Sequence, residues 1–174
     1  MPAIDPAVPL EHRELTLIRT YDAPRALVFA ALTDPSHLAQ WWGPHGFTNP
    51  VCESDPRPGG ALHIDMQAPD GHVYRTRGEV REIIPPERLV FTIAAIDPDG
   101  SIRLENLTTV TLLETIDTKA TAANPVLANR AVRTELTLHV RVLQAAAAAA
   151  INLSGMATGW SQSLERLGAL LTNL

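Results

Sequence analysis

The hydrophobic positions of this chain recur with two periods, and the switch between them marks out its elements. In "GGALHIDMQ", Leu62, Ile64 and Met66 alternate with His63 and Asp65. A period of two predicts a strand buried on one face. The same period runs through "HVYRTRGEVREII", with Tyr74, Thr76, Gly78 and Val80 on one face and Arg75, Arg77, Glu79 and Arg81 on the other. It returns in "LVFTIAAI" (Leu89, Phe91, Ile93) and in "AVRTELTLHVRVL" (Leu136, Leu138, Val140 and Val142 against Glu135, Thr137, His139 and Arg141). "ELTLIRT" and "ENLTTVTLLETI" read as further strands. Turn signals separate them: "APDG", with Gly71 where a positive φ is needed, then "PPER" and "DPDGS".

Helical spacing appears near both ends. In "YDAPRALVFAALTD", Asp22 or Ala23 caps, Pro24 occupies the first turn, and Leu27, Val28, Ala31 and Leu32 follow the helical period. "DPSHLAQWW" repeats the device with Asp34 as cap and Pro35 at the first helical position, and Gly43-Pro44 ends it. Six alanines within 144–153 favour helix. Ser154 can cap a final helix in which Met156, Trp160, Leu164, Leu167 and Leu171 make one apolar stripe. Gly155, Gly159 and Gly168 beside the stripe permit close approach to a sheet.

The order is strand, two short helices, about six antiparallel strands, then one long helix. This predicts an α+β fold in which a curved antiparallel sheet of about 6–7 strands wraps around the C-terminal helix, the element long enough to cover the sheet's apolar face. One helix cannot fill a strongly curved sheet, so a cavity is expected between them, closed at one end by the two short helices and their loop. Residues 1–12 read as a flexible tail, 13–174 as a single domain, and 117–130 as a long polar loop.

Composition acts mainly by exclusion. A chain of 174 residues suits one domain with a real core. The net charge is −5 and the arginines are scattered singly, so no nucleic-acid partner is expected. "MPAIDPAVPLEH" lacks the pattern of a signal peptide, and "VLQAAAAAAINL" is too short and alanine-rich to span a bilayer. The one cysteine, Cys52, cannot pair within the chain, which fits a reducing compartment, most simply the cytoplasm. A homodimer is compatible with all of this.

Candidate chemistry concentrates in "AQWWGPHGFTNPVCESDPRPGG" at 39–60. Trp41, Trp42, His45 and Phe47 are candidates for the lip and wall of a hydrophobic pocket, with one of the tryptophans buried and the other at the lip. Met66, Tyr74, Phe91 and Trp160 are expected to face inward. Tyr74 and Trp160 each carry a polar atom that needs a partner, which makes them better ligand contacts; Phe91 suits plain core. Glu53 and Asp55 share a face if the stretch is extended and could form an acid pair, while Asp55 with Arg57 suits fixing the loop before Gly59-Gly60. His37 and His45 flank the tryptophans, and His63 and His72 face each other if their hairpin is tight. The spacings HxH, HxxxH and HExxH do not occur, so no metal is expected, and His63 and His139 belong on outer sheet faces. There is no GxSxG and no phosphate loop, and no cofactor is expected.

The stretches "DAPRALVFAALTDPSHLAQWWGPHGFT", "VCESDPRPGGALHI", "DGHVYRTRGEVREIIPPERLVFT" and "GMATGWSQSLERLGALL" together span most of 14–172. With them the chain resembles bacterial proteins similar to the C-terminal domain of the activator of Hsp90 ATPase, within the START-like (Bet v 1-like, SRPBCC) superfamily. The resemblance implies the helix-grip fold and a ligand-sized internal cavity. That superfamily includes lipid and polyketide binders, cyclases and hydrolases, so the chemistry has to be argued from the site. The leading expectation is a non-covalent binder of a small hydrophobic molecule. An enzyme using Tyr74, His45 or Glu53 as acid or base, and an interaction module for a chaperone or for self-association, stand as alternatives.

Overall fold

The computed structural model describes residues 13–116, 132–146 and 149–174. The predicted tail at 1–12 and the predicted loop at 117–130 lie outside the described residues. Seven strands form one antiparallel sheet: β1 (Glu14–Tyr21), β2 (Thr48–Ser54), β3 (Ala61–Gln67), β4 (Val73–Ile84), β5 (Arg88–Ile96), β6 (Ile102–Ile116) and β7 (Val132–Ala145). Their order is β1-β7-β6-β5-β4-β3-β2, so β1 and β2 are the edges. Helices α1 (Arg25–Thr33) and α2 (Pro35–Trp41) follow β1, and α3 (Ala150–Leu171) follows β7. The fold is the α+β helix-grip arrangement that the patterning predicts.

The period-two faces are those read from the sequence. Leu62 and Ile64 of β3, Val80 of β4, Leu89, Phe91 and Ile93 of β5, Val110 and Leu112 of β6, and Leu136, Leu138 and Val140 of β7 are buried in one core. The register shifts between Val80 and Glu82, Ala95 and Ile96, and Glu105 and Asn106. Such bulges bend the strands that carry them and let the sheet curl around α3. Gly78 is needed where β4 meets β5, because a Cβ there would lie 1.9 Å from the Thr92 carbonyl oxygen.

Several local expectations are corrected. The cap of α1 is Pro24, one residue later than predicted, and it makes no side-chain cap bond; Asp22 pairs with Arg133 at 2.7 Å instead. Asp34 caps α2 as expected, accepting from the Ser36 N–H at 2.7 Å. These bonds from Ser36 hold the Asp34 carboxyl below its usual range. Residues 48–54, to which the patterning assigned no strand, form edge strand β2; an edge tolerates Pro50, which breaks the alternation there. The alanine run belongs to two elements at its described ends. β7 continues to Ala145 and α3 begins at Ala150, so Ser154 lies inside α3 and does not cap it.

The apolar stripe of α3 divides. Leu164, Leu167 and Leu171 are buried against β1, α1 and α2, while Met156 and Trp160 are only partly covered. Tyr21 of β1 donates its hydroxyl to the Leu164 carbonyl at 2.8 Å, and burial pushes its pKa up. A Cβ on Gly168 would lie 3.1 Å from the Tyr21 ring, so this glycine admits the close approach predicted for it. Gly155, by contrast, has nothing within 4 Å.

Candidate functional site

The N-terminal half of α3, the loop after α2 and the concave ends of β3–β6 border a cavity of about 260 Å³ that opens to solvent. The loop is shaped by Gly43 and Gly46, both at positive φ (93° and 82°). A Cβ on Gly43 would meet the Met66 sulfur at 3.2 Å, so the lip closes onto β3 only because that position is glycine.

Of the residues singled out from the sequence, Trp42, Phe47, Met66, Tyr74 and Trp160 line this cavity together. Trp41, His45 and Phe91 do not. Trp41 is buried behind it, 1% exposed, with its indole N–H donated to the Ala31 carbonyl at 2.8 Å. It plugs the sheet end, while Trp42 walls the cavity. Both are buried from solvent, which corrects the expectation of one buried and one at the lip: Trp42 stands in the inner wall. Phe91 sits in the core against Trp42, with ring centroids 6.0 Å apart. Trp42 also meets Trp160 edge-to-face at 5.2 Å, and these two indoles form the inner wall. At the outer rim Phe47 packs on Tyr74 at 6.0 Å, and His72 on the other side of Tyr74 at 4.4 Å.

His45 points away from the cavity and pairs with Glu165 at 2.8 Å, both side chains 55% exposed. Glu53 is 75% exposed and faces His63 on the convex side of the sheet at 3.4 Å. Asp55 pairs with Arg57 at 2.7 Å, as its loop-fixing reading expects. The acid–base set of Tyr74, His45 and Glu53 therefore does not converge; only Tyr74 reaches the cavity. His63 and His72 are not opposite each other, because the register sets His63 against Arg77. His139 lies near Glu14 at 3.7 Å. Among the described residues, no group of three or more His, Cys, Asp or Glu is placed to hold a metal ion. Cys52 packs against the core and burial pushes its thiol up to about 11, which disfavours the thiolate at neutral pH.

Sequence reasoning missed the residues that fasten the lip. Arg166, one turn beyond Gln162 on α3, donates to the carbonyls of Trp42 (3.1 Å), Gly43 (2.9 Å), Pro44 (2.9 Å) and Gln40 (2.9 Å). Gln162 accepts from the His45 backbone N–H at 3.0 Å, and Asn49 donates to the carbonyls of Ala39 and Trp42 at 3.0 and 2.8 Å. The guanidinium satisfies the carbonyls left open at the end of α2. The one available signal was an arginine beside the apolar stripe in "SLERL".

The polar atoms of the lining are few. Thr76 donates to the Ile64 carbonyl at 2.5 Å, and Ser163 to the Gly159 carbonyl at 2.9 Å. Asn106 lies on the floor, 8% exposed, and its side-chain Oδ1 is buried without a hydrogen bond. The large exposed apolar side chains among the described residues (Ile18, Val73, Ile84, Ile102, Leu113, Ile116, Leu174) are distributed over different strands and ends. No helix among the described residues is long and apolar enough to cross a membrane.

Comparison with known proteins follows this geometry. The profile of the family described as activator of Hsp90 ATPase homolog 1-like protein matches residues 22–172. No curated protein matches. Among solved structures, one from Chromobacterium violaceum is similar at 28% identity and a TM-score of 0.72, covering 91% of this chain and 97% of that one. An AHSA1 protein from Silicibacter pomeroyi is similar at 25% identity and a TM-score of 0.70, with 91% and 97% covered. A solution structure from Arthrobacter aurescens, 22% identical with a TM-score of 0.74 and 99% and 92% covered, shares the fold.

Proposed function

The chain belongs to the activator of Hsp90 ATPase homologue 1-like family, and we propose that it binds a small, largely apolar molecule, non-covalently, between α3 and the concave face of the sheet. The observation that carries this is the cavity itself. It is about 260 Å³, and its walls are mainly Trp42, Phe47, Met66, Ile93, Leu104, Met156 and Trp160. Ligand pockets have this character, apolar walls with a few placed polar groups, at volumes of about 300–1,000 Å³. The cavity lies just under that range, which favours a ligand of one or two rings over a long acyl chain.

The apolar walls bordering the pocket lack dispersion partners on one side, and a ligand supplies them. Trp42, Phe47, Met66, Tyr74 and Trp160 are the contacts, with Arg166 holding the lip that carries Trp42. The test is a thermal-shift and native-mass-spectrometry screen with one- and two-ring compounds. A binder present at 100 times its Kd stabilises the protein by about 2.7 kcal/mol. Leu104→Trp, which fills the cavity from its floor, abolishes the shift while the protein stays folded. If no compound of this size binds, or if Leu104→Trp leaves binding unchanged, the cavity is not the site.

A further inference from the structure

We infer that the cavity selects ligands bearing a neutral hydroxyl, phenolic or alcoholic, which it anchors on Asn106. The inference rests on the binding role proposed above and adds the chemical class of the ligand. Asn106 sits on the concave face of β6, where β5 places Ile93 opposite it and β7 places Val142. An amide is an unlikely choice for such a floor on packing grounds alone, since asparagine is depleted in strands. Its Oδ1 is buried and unpaired. Leaving a buried acceptor unmade costs more than a typical hydrogen bond gains, and a half-turn of the amide exchanges its two ends and brings Oδ1 to the cavity side, where a partner can reach it.

The other polar groups of the lining decide what that partner carries. The Thr76 hydroxyl spends its proton on the Ile64 carbonyl, and the Ser163 hydroxyl spends its own on the Gly159 carbonyl. A hydroxyl has one proton, so both oxygens can only accept from the cavity side. With the Asn106 amide, the Tyr74 hydroxyl and the Trp160 indole N–H, the lining presents donors as well as acceptors. A hydrocarbon satisfies neither kind, a ketone only accepts, and a carboxylate meets no lysine or arginine among the lining residues. A hydroxyl donates, and because it also accepts it suits either end of the Asn106 amide.

Three probes of matched shape test this: naphthalene, 2-naphthol and 2-naphthoate, titrated calorimetrically into the wild-type protein and Asn106→Leu. The wild type is expected to bind 2-naphthol about 10-fold or more tighter than naphthalene, and to bind 2-naphthoate more weakly than 2-naphthol. Asn106→Leu keeps the volume and removes the orphan, so it is expected to fold at least as stably, to bind naphthalene as well or better, and to lose the preference for 2-naphthol. Equal wild-type affinity for naphthalene and 2-naphthol overturns the hydroxyl anchor while leaving the cavity reading intact. So does a preference for 2-naphthoate, or a 2-naphthol preference that survives in Asn106→Leu. If none of the three binds the wild type, both readings fall.

Discussion

The two ends of α3 present the same apolar period to very different surroundings. At its C-terminal end, Leu164 packs with Leu32, Val110, Leu136 and Leu138 around a void of only about 10 Å³. At its N-terminal end, Met156 and Trp160 border about 260 Å³. The helix does not make this difference; the sheet does. Beneath the closed end the strands place leucine and valine, and beneath the open end they place Ala95, Asn106 and Ala145 with Leu104 and Val142. Met156 touches both the main core and the small cluster of Leu104, Val142, Ala145 and Ala149, so the hollow lies between two cores of unequal size. Sheet curvature permits a cavity, and side-chain size on the floor decides at which end it opens.

The strongest way to break this comparison is to truncate one stripe residue at each end. Leu164 is 1% exposed, and Leu164→Ala is expected to cost about 2–5 kcal/mol in urea denaturation. Met156→Ala, beside space that already exists, should cost about 1 kcal/mol or less, because little new cavity is made. Equal losses would show that the two ends are packed alike.

Arg166 comes next in size. It is a tie between the open end's lip and the helix, and burial lowers its pKa. Arg166→Leu leaves the lip carbonyls without their donor and is expected to cost about 1–3 kcal/mol. Amide exchange should quicken at 42–47 while the amides around Leu164 stay protected. Lysine cannot reproduce a planar fork shared among four carbonyls, so Arg166→Lys should rescue little. Unchanged exchange at the lip would remove Arg166 from the positioning role given to it.

The pattern of alternation was enough to read the sheet's buried faces, since a period of two allows only one side to be apolar. It also showed α3 as a single stripe, from Met156 to Leu171. It could not show that the stripe splits, because that depends on which strand ends lie below it, a matter of register between residues far apart in the chain, such as Asn106 and Val142. The tryptophan pair announced a lip, yet only geometry separated Trp41, tied to Ala31, from Trp42 in the wall. His45 failed as a cavity residue for the same reason: its loop turns at Gly46 and sends the ring out to Glu165. Arg166 and Asn106 were invisible because their roles are to pair, or fail to pair, with atoms distant in sequence.

A smaller effect sharpens the contrast through two glycines of α3. Gly155→Ala meets open space and should stabilise the protein by about 0.5–1 kcal/mol, the ordinary helical gain of alanine over glycine. Gly168→Ala has the same intrinsic gain but pushes a methyl to 3.1 Å from a Tyr21 ring that is pinned by its bond to Leu164. The gain should vanish or reverse. A Gly168→Ala protein as stable as Gly155→Ala would mean that the closed end yields as easily as the open one.

The smallest effect concerns the outside of the open end. Asp65 lies on β3 between Ile64 and Met66, whose side chains face inward, and its 13%-exposed carboxylate takes hydrogen bonds from Arg77 at 2.8 Å and His63 at 3.2 Å. Burial pushes this carboxyl up, but the bond and charge of Arg77, with those of His63, together outweigh burial and hold it below its usual range. A carboxyl lowered on folding adds stability that is fully present above the unfolded-chain value near pH 4, and that is lost as the pH falls through the lower folded value. Acid should therefore loosen the β3–β4 wall of the cavity before it loosens the packing around Leu164. Hydrogen exchange across the acid range should show the protection of β3 and β4 falling first, and Asp65→Asn should flatten that pH dependence without moving the exchange of α3's last two turns. If the two ends lose protection together in the wild type, the Asp65–Arg77 tie does not belong to the open end alone, and the division of the molecule into a rigid end and a yielding one is wrong at its outer face.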